Sequence, residues 1–180
     1  SDVLAGVVAG PHELLGPIEL FRRRTGGILA PDPAWLLQRS WPTLGLRLAA
    51  QQAAALAVAQ GLLPLAASGR VTKVTYPGLP DHPDRALVER QMTGGGCMLA
   101  IELPGGLPGV RKAFDRLQHI ARAASLGGVE SLATLPAFTT HAALSPSQRQ
   151  QAGIPDGLLR VAVGLEGVDV LLRDLLQAIG

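Results

Sequence analysis

Three observations predict an α/β class of fold, with a small α+β part in which helices cover one side of a sheet. Short apolar runs with strand alternation recur from Arg70 onward and are separated by stretches of helical period. A long alanine-rich segment of helical period precedes them. The chain then closes on "VDVLLRDLLQAI", whose Val168, Leu171, Leu172, Leu175, Leu176 and Ile179 form one apolar stripe. Strands and helices interleaved in this way pack as layers around one core.

At the start, "VLAGVVAG" (3–10) reads as β-like and ends in the turn Gly10-Pro11. "HELLGPIELFRRR" is helical in pattern, with a restart expected at Gly16-Pro17, and "TGGILAPDP" reads as a linker. Leu37, Trp41, Leu44, Leu48, Ala55, Leu62 and Leu65 then fall at helical spacing. Pro42 is tolerable only near a helix start, so the main helix is placed from there to Ser68-Gly69, with a disturbance at Pro64.

From Arg70 the elements shorten. "VTKVTYPGL" reads as strand and turn, and "DHPDRALVERQM" as a short helix. "CMLAIEL" is a strand with Leu99, Ile101 and Leu103 on one face. "LPGVRKAFDRLQHI" is a helix, "SPSQRQQAG" a short one, and "LLRVAVGL" a strand. No internal repeat is visible.

Composition narrows the function classes. The 180 residues are 47% hydrophobic and 17% charged, which is the balance of a buried globular chain. A net charge of +2 gives no case for nucleic acid, and the basic run Arg22 to Arg24 lacks interleaved aromatics. The longest wholly apolar run in the middle, residues 53–59, is far short of the ~20 residues of a membrane span. Cys97 is the single cysteine, so no internal disulfide forms and a reducing, cytoplasmic compartment is favoured. It reads as a packing residue rather than a reactive thiol.

The chemistry-bearing residues are few. "ASLGGVESLATLPAFTTHA" (124–142) mixes small residues and hydroxyls in a way that suits a pocket wall. In "LLRVAVGL", Leu159, Val161, Val163 and Leu165 share one face, leaving Arg160, Ala162 and Gly164 on the other. An arginine flanked by alanine and glycine suits the floor of a cavity, where its planar fork could take a carboxylate or phosphate. An internal ion pair of Arg160 with Glu130 or Glu166 explains the same spacing and stays open. "TGGGCM" (93–98) lacks the lysine of a phosphate loop and reads as a turn. The four histidines and Cys97 show no metal-ligand spacing, and Ser125 has no neighbouring base that would make it a nucleophile.

"YPGLPDHP" (76–83), "RQMTGGGCMLAIEL" (90–103), "SLGGVESLATLPAFTTHA" (125–142) and "LLRVAVGLEGVDVLLRDLLQAI" (158–179) together resemble, in order, the landmarks of the pyridoxal-phosphate-dependent transsulfuration enzymes. These are cystathionine γ-synthases and γ-lyases, cystathionine β-lyases, methionine γ-lyases and homoserine-ester sulfhydrylases. The resemblance implies the C-terminal part of a fold-type I pyridoxal-phosphate (PLP) enzyme. Residues 1–41 would end the large PLP-binding domain, 42–69 form the connecting helix, and 70–180 the C-terminal small domain. It implies a catalytic lysine upstream of Ser1, and hence no catalytic or cofactor-binding residue in this chain. Neither Lys73 nor Lys112 stands in the family's lysine motif. It also implies a missing N-terminal half, a homo-oligomer (dimer or tetramer) and an amino-acid substrate.

Carried over position by position, the resemblance gives Arg160 the role of binding the substrate α-carboxylate. Ser125 takes the place of the serine beside that carboxylate and the cofactor lysine. Several positions depart from the family. Ala124 stands where γ-synthases and many γ-lyases carry a glutamate tied to cystathionine recognition, which leaves methionine γ-lyase-like or sulfhydrylase-like chemistry open. Cys97 replaces a usual glycine, and Trp41-Pro42 a usual leucine–lysine pair. Gln51 and Ala54 stand where histidine and asparagine are common, and these read as changes in packing. Two functions are therefore expected to compete: γ- or β-elimination or replacement by the longer enzyme, and a non-catalytic half-enzyme without cofactor.

Overall fold

The computed structural model describes residues 2–180 and divides into two compact units, Ser1–Gly45 and Leu46–Gly180. In the first unit, residues 2–11 hold no regular structure, so the strand expected over 3–10 does not form. An isolated strand leaves its backbone groups unpaired, and no other strand lies in this unit among the described residues to satisfy them. Helix α1 (His12–Thr25) runs unbroken through Pro17, where a restart was expected, and ends at Gly26 in the left-handed conformation. The last three residues of the stretch expected as linker are helical: α2 (Pro31–Ser40) starts with Pro31 at its first position. Neither α1 nor α2 buries a residue.

A 3₁₀ turn over Trp41–Thr43 carries Pro42 into α3 (Leu44–Ala67), close to the helix start placed at Pro42. Taken with α2, this helical run is long and apolar enough, by length and composition, to cross a membrane, which the count of the 53–59 run missed. A core helix passes the same test. Ala55, Val58, Ala59, Leu62 and Leu65 of α3 lie in the hydrophobic core of the second unit.

That core is built on a five-stranded sheet of order β1-β2-β5-β4-β3. The strands are β1 (Lys73–Thr75), β2 (Met98–Glu102), β3 (Ala121–Arg122), β4 (Leu132–Thr134) and β5 (Leu158–Ala162). All neighbours are antiparallel except β3 and β4. The register brings Leu99 opposite Val161 and Ile101 opposite Leu159, so one face is a continuous apolar surface. Helix α3, α5 (Gly106–Arg116) and α7 (Val168–Ile179) bury their stripes in the same core. On the opposite face Met98, Ala100, Glu102, Leu158 and Arg160 are only half-buried. Helices thus cover one side of the sheet, as expected. Two short helices, α4 (Arg85–Gln91) and α6 (Pro146–Gln151), lie outside that core, and Ser145 caps α6 with a full capping box.

The stripe of α7 forms as expected through Val168, Leu171, Leu172, Leu175 and Ile179, and departs from the expectation at Leu176 and Asp174. Leu171, Asp174, Leu175 and Ala178 are buried, whereas Leu176 is 40% exposed. Asp174 is admitted because the loop after α5 surrounds it with donors: Gln118 N–H at 2.8 Å, His119 N–H at 2.9 Å and Ile120 N–H at 2.8 Å. Burial alone would raise this carboxyl. The three backbone donors and Gln177 outweigh burial and hold it below the usual range.

The turn "TGGGC" is held by α3 and by Tyr76. The phenol of Tyr76 donates to Gly96 O at 2.9 Å, and a Cβ at Gly95 would lie 2.6 Å from its ring. Only glycine lets this backbone pass under the ring. Burial, and after it neighbouring Cys97, pushes the phenol pKa up. Cys97 itself is buried and accepts Val163 N–H at its carbonyl, in keeping with a packing role.

Candidate functional site

The two stretches singled out in the sequence meet. Residues 125–131 form a loop laid along the end of β5 and the residues that continue it, 163–166. At one end, Arg160 Nη2 donates to Ser125 O at 3.3 Å. Further on, Leu165 N–H donates to Val129 O at 2.8 Å, and Gly164 N–H to Ser131 Oγ at 2.7 Å. The Ser131 hydroxyl donates in turn to Glu166 Oε2 at 2.7 Å, and Ser131 N–H donates to Glu166 Oε1.

This corrects the picture of Ala162 and Gly164 flooring a cavity. Both are buried, and a Cβ at Gly164 would lie 2.6 Å from the backbone atoms Glu130 C and Ser131 N. The glycine is there because a peptide chain crosses directly over it. Of the three residues Arg160, Ala162 and Gly164, Arg160 is the one that is not buried. That residue pairs in register with half-buried Ala100 on β2 and buried Thr134 on β4, so a small and a short side chain flank it.

The ion-pair alternative finds no support. Glu166 is taken up by Ser131, and no carboxylate pairs with Arg160 among the described residues. The buried arginine of this unit is a different one. Arg149 bonds Asp156 through Nε at 2.9 Å and Nη2 at 2.8 Å, and Leu144 O through Nη1 at 2.6 Å, locking α6 to the start of β5. Arg160 is left with one long bond to a carbonyl and donors to spare.

Ser125 is exposed, and its carbonyl is what faces Arg160. Thr139, Thr140 and His141, read in the sequence as part of one wall, serve local turns instead. Thr139 Oγ1 bonds Leu135 O and Thr134 Oγ1, both at 3.0 Å, and Thr140 Oγ1 meets His141 Nδ1 at 2.8 Å.

Gln51 was read from the sequence as a change in packing, and it does more. Buried on α3, its Nε2 donates to Gly128 O at 2.6 Å and to Val163 O at 3.0 Å. It ties the loop, the strand end and the long helix at one point. A signal for it existed: Gln51 precedes Ala55, Val58 and Leu62 at core spacing, and a polar group at such a position needs partners. Ser131 lay in the stretch read as a pocket wall and Glu166 was an alternative partner for Arg160, but nothing in their spacing paired the two with each other.

The described residues do not fit PLP by themselves. A Schiff base needs a lysine in a shielded site. Lys73 is exposed on the edge strand β1 opposite Glu102, and Lys112 is exposed on α5.

The family model for Cys/Met metabolism PLP-dependent enzymes matches residues 1–180. A cystathionine beta-lyase of Lactococcus lactis subsp. cremoris is 39% identical over 180 residues, covering 99% of this chain and 46% of its own length. An L-methionine gamma-lyase of Pseudomonas putida is 41% identical over 181 residues, covering 99% of this chain and 45% of its own. Among solved structures, cystathionine gamma synthase from Xanthomonas oryzae pv. oryzae, in complex with aminoacrylate and cysteine, superposes with a TM-score of 0.86 at 40% identity. That match covers 96% of this chain and 44% of the other. The chain thus spans a little under half the length of the relatives it matches.

Proposed function

Because this chain belongs to the Cys/Met metabolism PLP-dependent enzymes, we propose that it is the substrate-carboxylate portion of an enzyme that eliminates or replaces the γ- or β-substituent of a sulfur amino acid. The substrate would be cystathionine, methionine or an activated homoserine ester. The observation that carries this reading is Arg160: a guanidinium on the half-buried sheet face, unpaired with any carboxylate among the described residues, beside the Ser125 loop. An arginine so placed offers the bidentate fork that an α-carboxylate accepts, and the carbonyl of Ser125 fixes one edge of it. Bound PLP would supply the electron sink for this chemistry. Its lysine would come from sequence outside these 180 residues. The working protein would be a cytoplasmic homo-oligomer. Ala124, exposed just before Ser125, stands where a glutamate tied to cystathionine recognition is expected, which keeps methionine γ-lyase-like or sulfhydrylase-like chemistry open.

The test is Arg160→Ala in the longer protein that carries the lysine. Folding and cofactor absorbance should stay near normal, because the guanidinium's hydrogen bond within the described residues is one long contact to the Ser125 carbonyl. kcat/KM for amino-acid substrates should fall by roughly 2–5 kcal/mol of binding, the range for losing one partner of a charge pair. Arg160→Lys should recover part of this, and an amine without a carboxylate should respond to neither change. A variant that unfolds, with normal kinetics in the surviving fraction, would show that Arg160 serves the fold and not the substrate.

A further inference from the structure

We infer that Gln51 is a positioning residue for the carboxylate subsite, holding the Ser125–Gly128 loop at the height Arg160 needs. The inference rests on the proposed role of Arg160 and adds the element that sets its geometry. Arg160 is held at 3.3 Å by a single backbone carbonyl, Ser125 O, so the loop decides where its free donors point. The far end of that loop is fixed by Leu165 N–H to Val129 O and by Ser131 to Gly164 and Glu166. Between Ser125 and Val129, the attachment from outside the loop is Gln51 Nε2, at 2.6 Å from Gly128 O.

The same nitrogen reaches Val163 O at 3.0 Å, three residues beyond Arg160 and just past the end of β5. One amide therefore ties together the loop that holds Arg160 and the strand that bears it. Both protons of the amide are used, and the residue is 4% exposed, so water cannot replace it without opening the helix–sheet contact. Gln51 stands on the long helix, so a shift of α3 would be transmitted to the subsite through this amide. Neighbouring Gln52 anchors a different segment: its side-chain oxygen accepts Gly96 N–H at 3.2 Å.

The test compares Gln51→Met, of similar shape with no donor, and Gln51→His, which restores one donor, in the longer holoprotein. The probes are norleucine, which has the α-carboxylate but no sulfur leaving group, and pentylamine, which lacks the carboxylate. Both are titrated by calorimetry alongside steady-state kinetics with methionine. The expected result is a Kd for norleucine weakened about 5- to 10-fold by Gln51→Met, the worth of one to two buried hydrogen bonds. KM should rise in parallel with kcat within about twofold, Kd for pentylamine should not change, and Gln51→His should recover most of the loss. Should Gln51→Met not fold, Gln51→Asn, too short to span both carbonyls, takes its place.

Equal losses for norleucine and pentylamine would make Gln51 a fold residue and overturn the inference, as would an unchanged norleucine Kd. Arg160→Ala run in parallel separates the two readings. If it weakens norleucine while the Gln51 variants do not, only the role of Gln51 falls. If it leaves norleucine untouched, the role of Arg160 and that of Gln51 fall together.

Discussion

Replacing Asp174 by asparagine removes one oxygen from a fully occupied carboxylate. Oδ2 accepts His119 N–H at 2.9 Å and Ile120 N–H at 2.8 Å, and Oδ1 accepts Gln118 N–H at 2.8 Å and Gln177 Nε2 at 3.0 Å. An asparagine can keep its single carbonyl on the side with two backbone donors. Its NH2 then faces the Gln118 N–H and leaves it without an acceptor, in a side chain 1% exposed. One buried unsatisfied donor costs about 1–3 kcal/mol, and the two remaining bonds lose their charge assistance, roughly 1 kcal/mol each. The neutral amide regains some of the cost of burying a charge, so the net destabilisation should be about 3 kcal/mol, or roughly 10 °C in Tm for a unit of this size. The folded carboxyl lies below its ordinary value of 3.8, so this stability is fully present above that pH and lost as pH falls through the folded value. The gap between native and Asp174→Asn proteins should therefore be widest near neutrality and shrink below about pH 4. Urea unfolding followed by circular dichroism at pH 7 and pH 3.5 measures both quantities. A loss under ~1 kcal/mol, or a gap that is the same at both pH values, would refute the role given to the three amides.

Gly164→Ala should distort the loop that crosses it, since the added Cβ would lie 2.6 Å from backbone atoms of Glu130 and Ser131. The expected cost is about 2–3 kcal/mol, as for overpacking against atoms that cannot rotate away. A crystal structure should show residues 129–131 displaced from β5, and an unmoved loop with native stability would contradict this. Added PLP should give no stoichiometric borohydride-stable adduct with the 180-residue chain, because both of its lysines are exposed and unshielded. Mass spectrometry finding full occupancy of Lys73 or Lys112 would reverse that conclusion.

Periodicity made the sheet-and-helix class legible, because burial on one side of a strand or helix writes itself into the spacing of apolar residues. Leu99, Ile101, Leu159 and Val161 were assigned their face correctly for that reason. Ordered motifs along the chain gave the family, and with it the candidate role of Arg160. What periodicity does not carry is the partner of a polar group. Asp174 is no part of the apolar stripe that spacing gives α7, and its burial rests on three N–H donors that the loop after α5 supplies from more than fifty residues away. Gln51 looked like a packing substitution until its amide was found between two carbonyls, 77 and 112 residues distant. The sequence also made Gly164 part of an open floor, and only the path of residues 129–131 over it shows why no side chain fits. Local spacing determines which face of an element is apolar, since that depends on the backbone repeat alone. Tertiary structure decides which buried polar atoms meet, since hydrogen bonds depend on distances between segments whose order along the chain does not encode them.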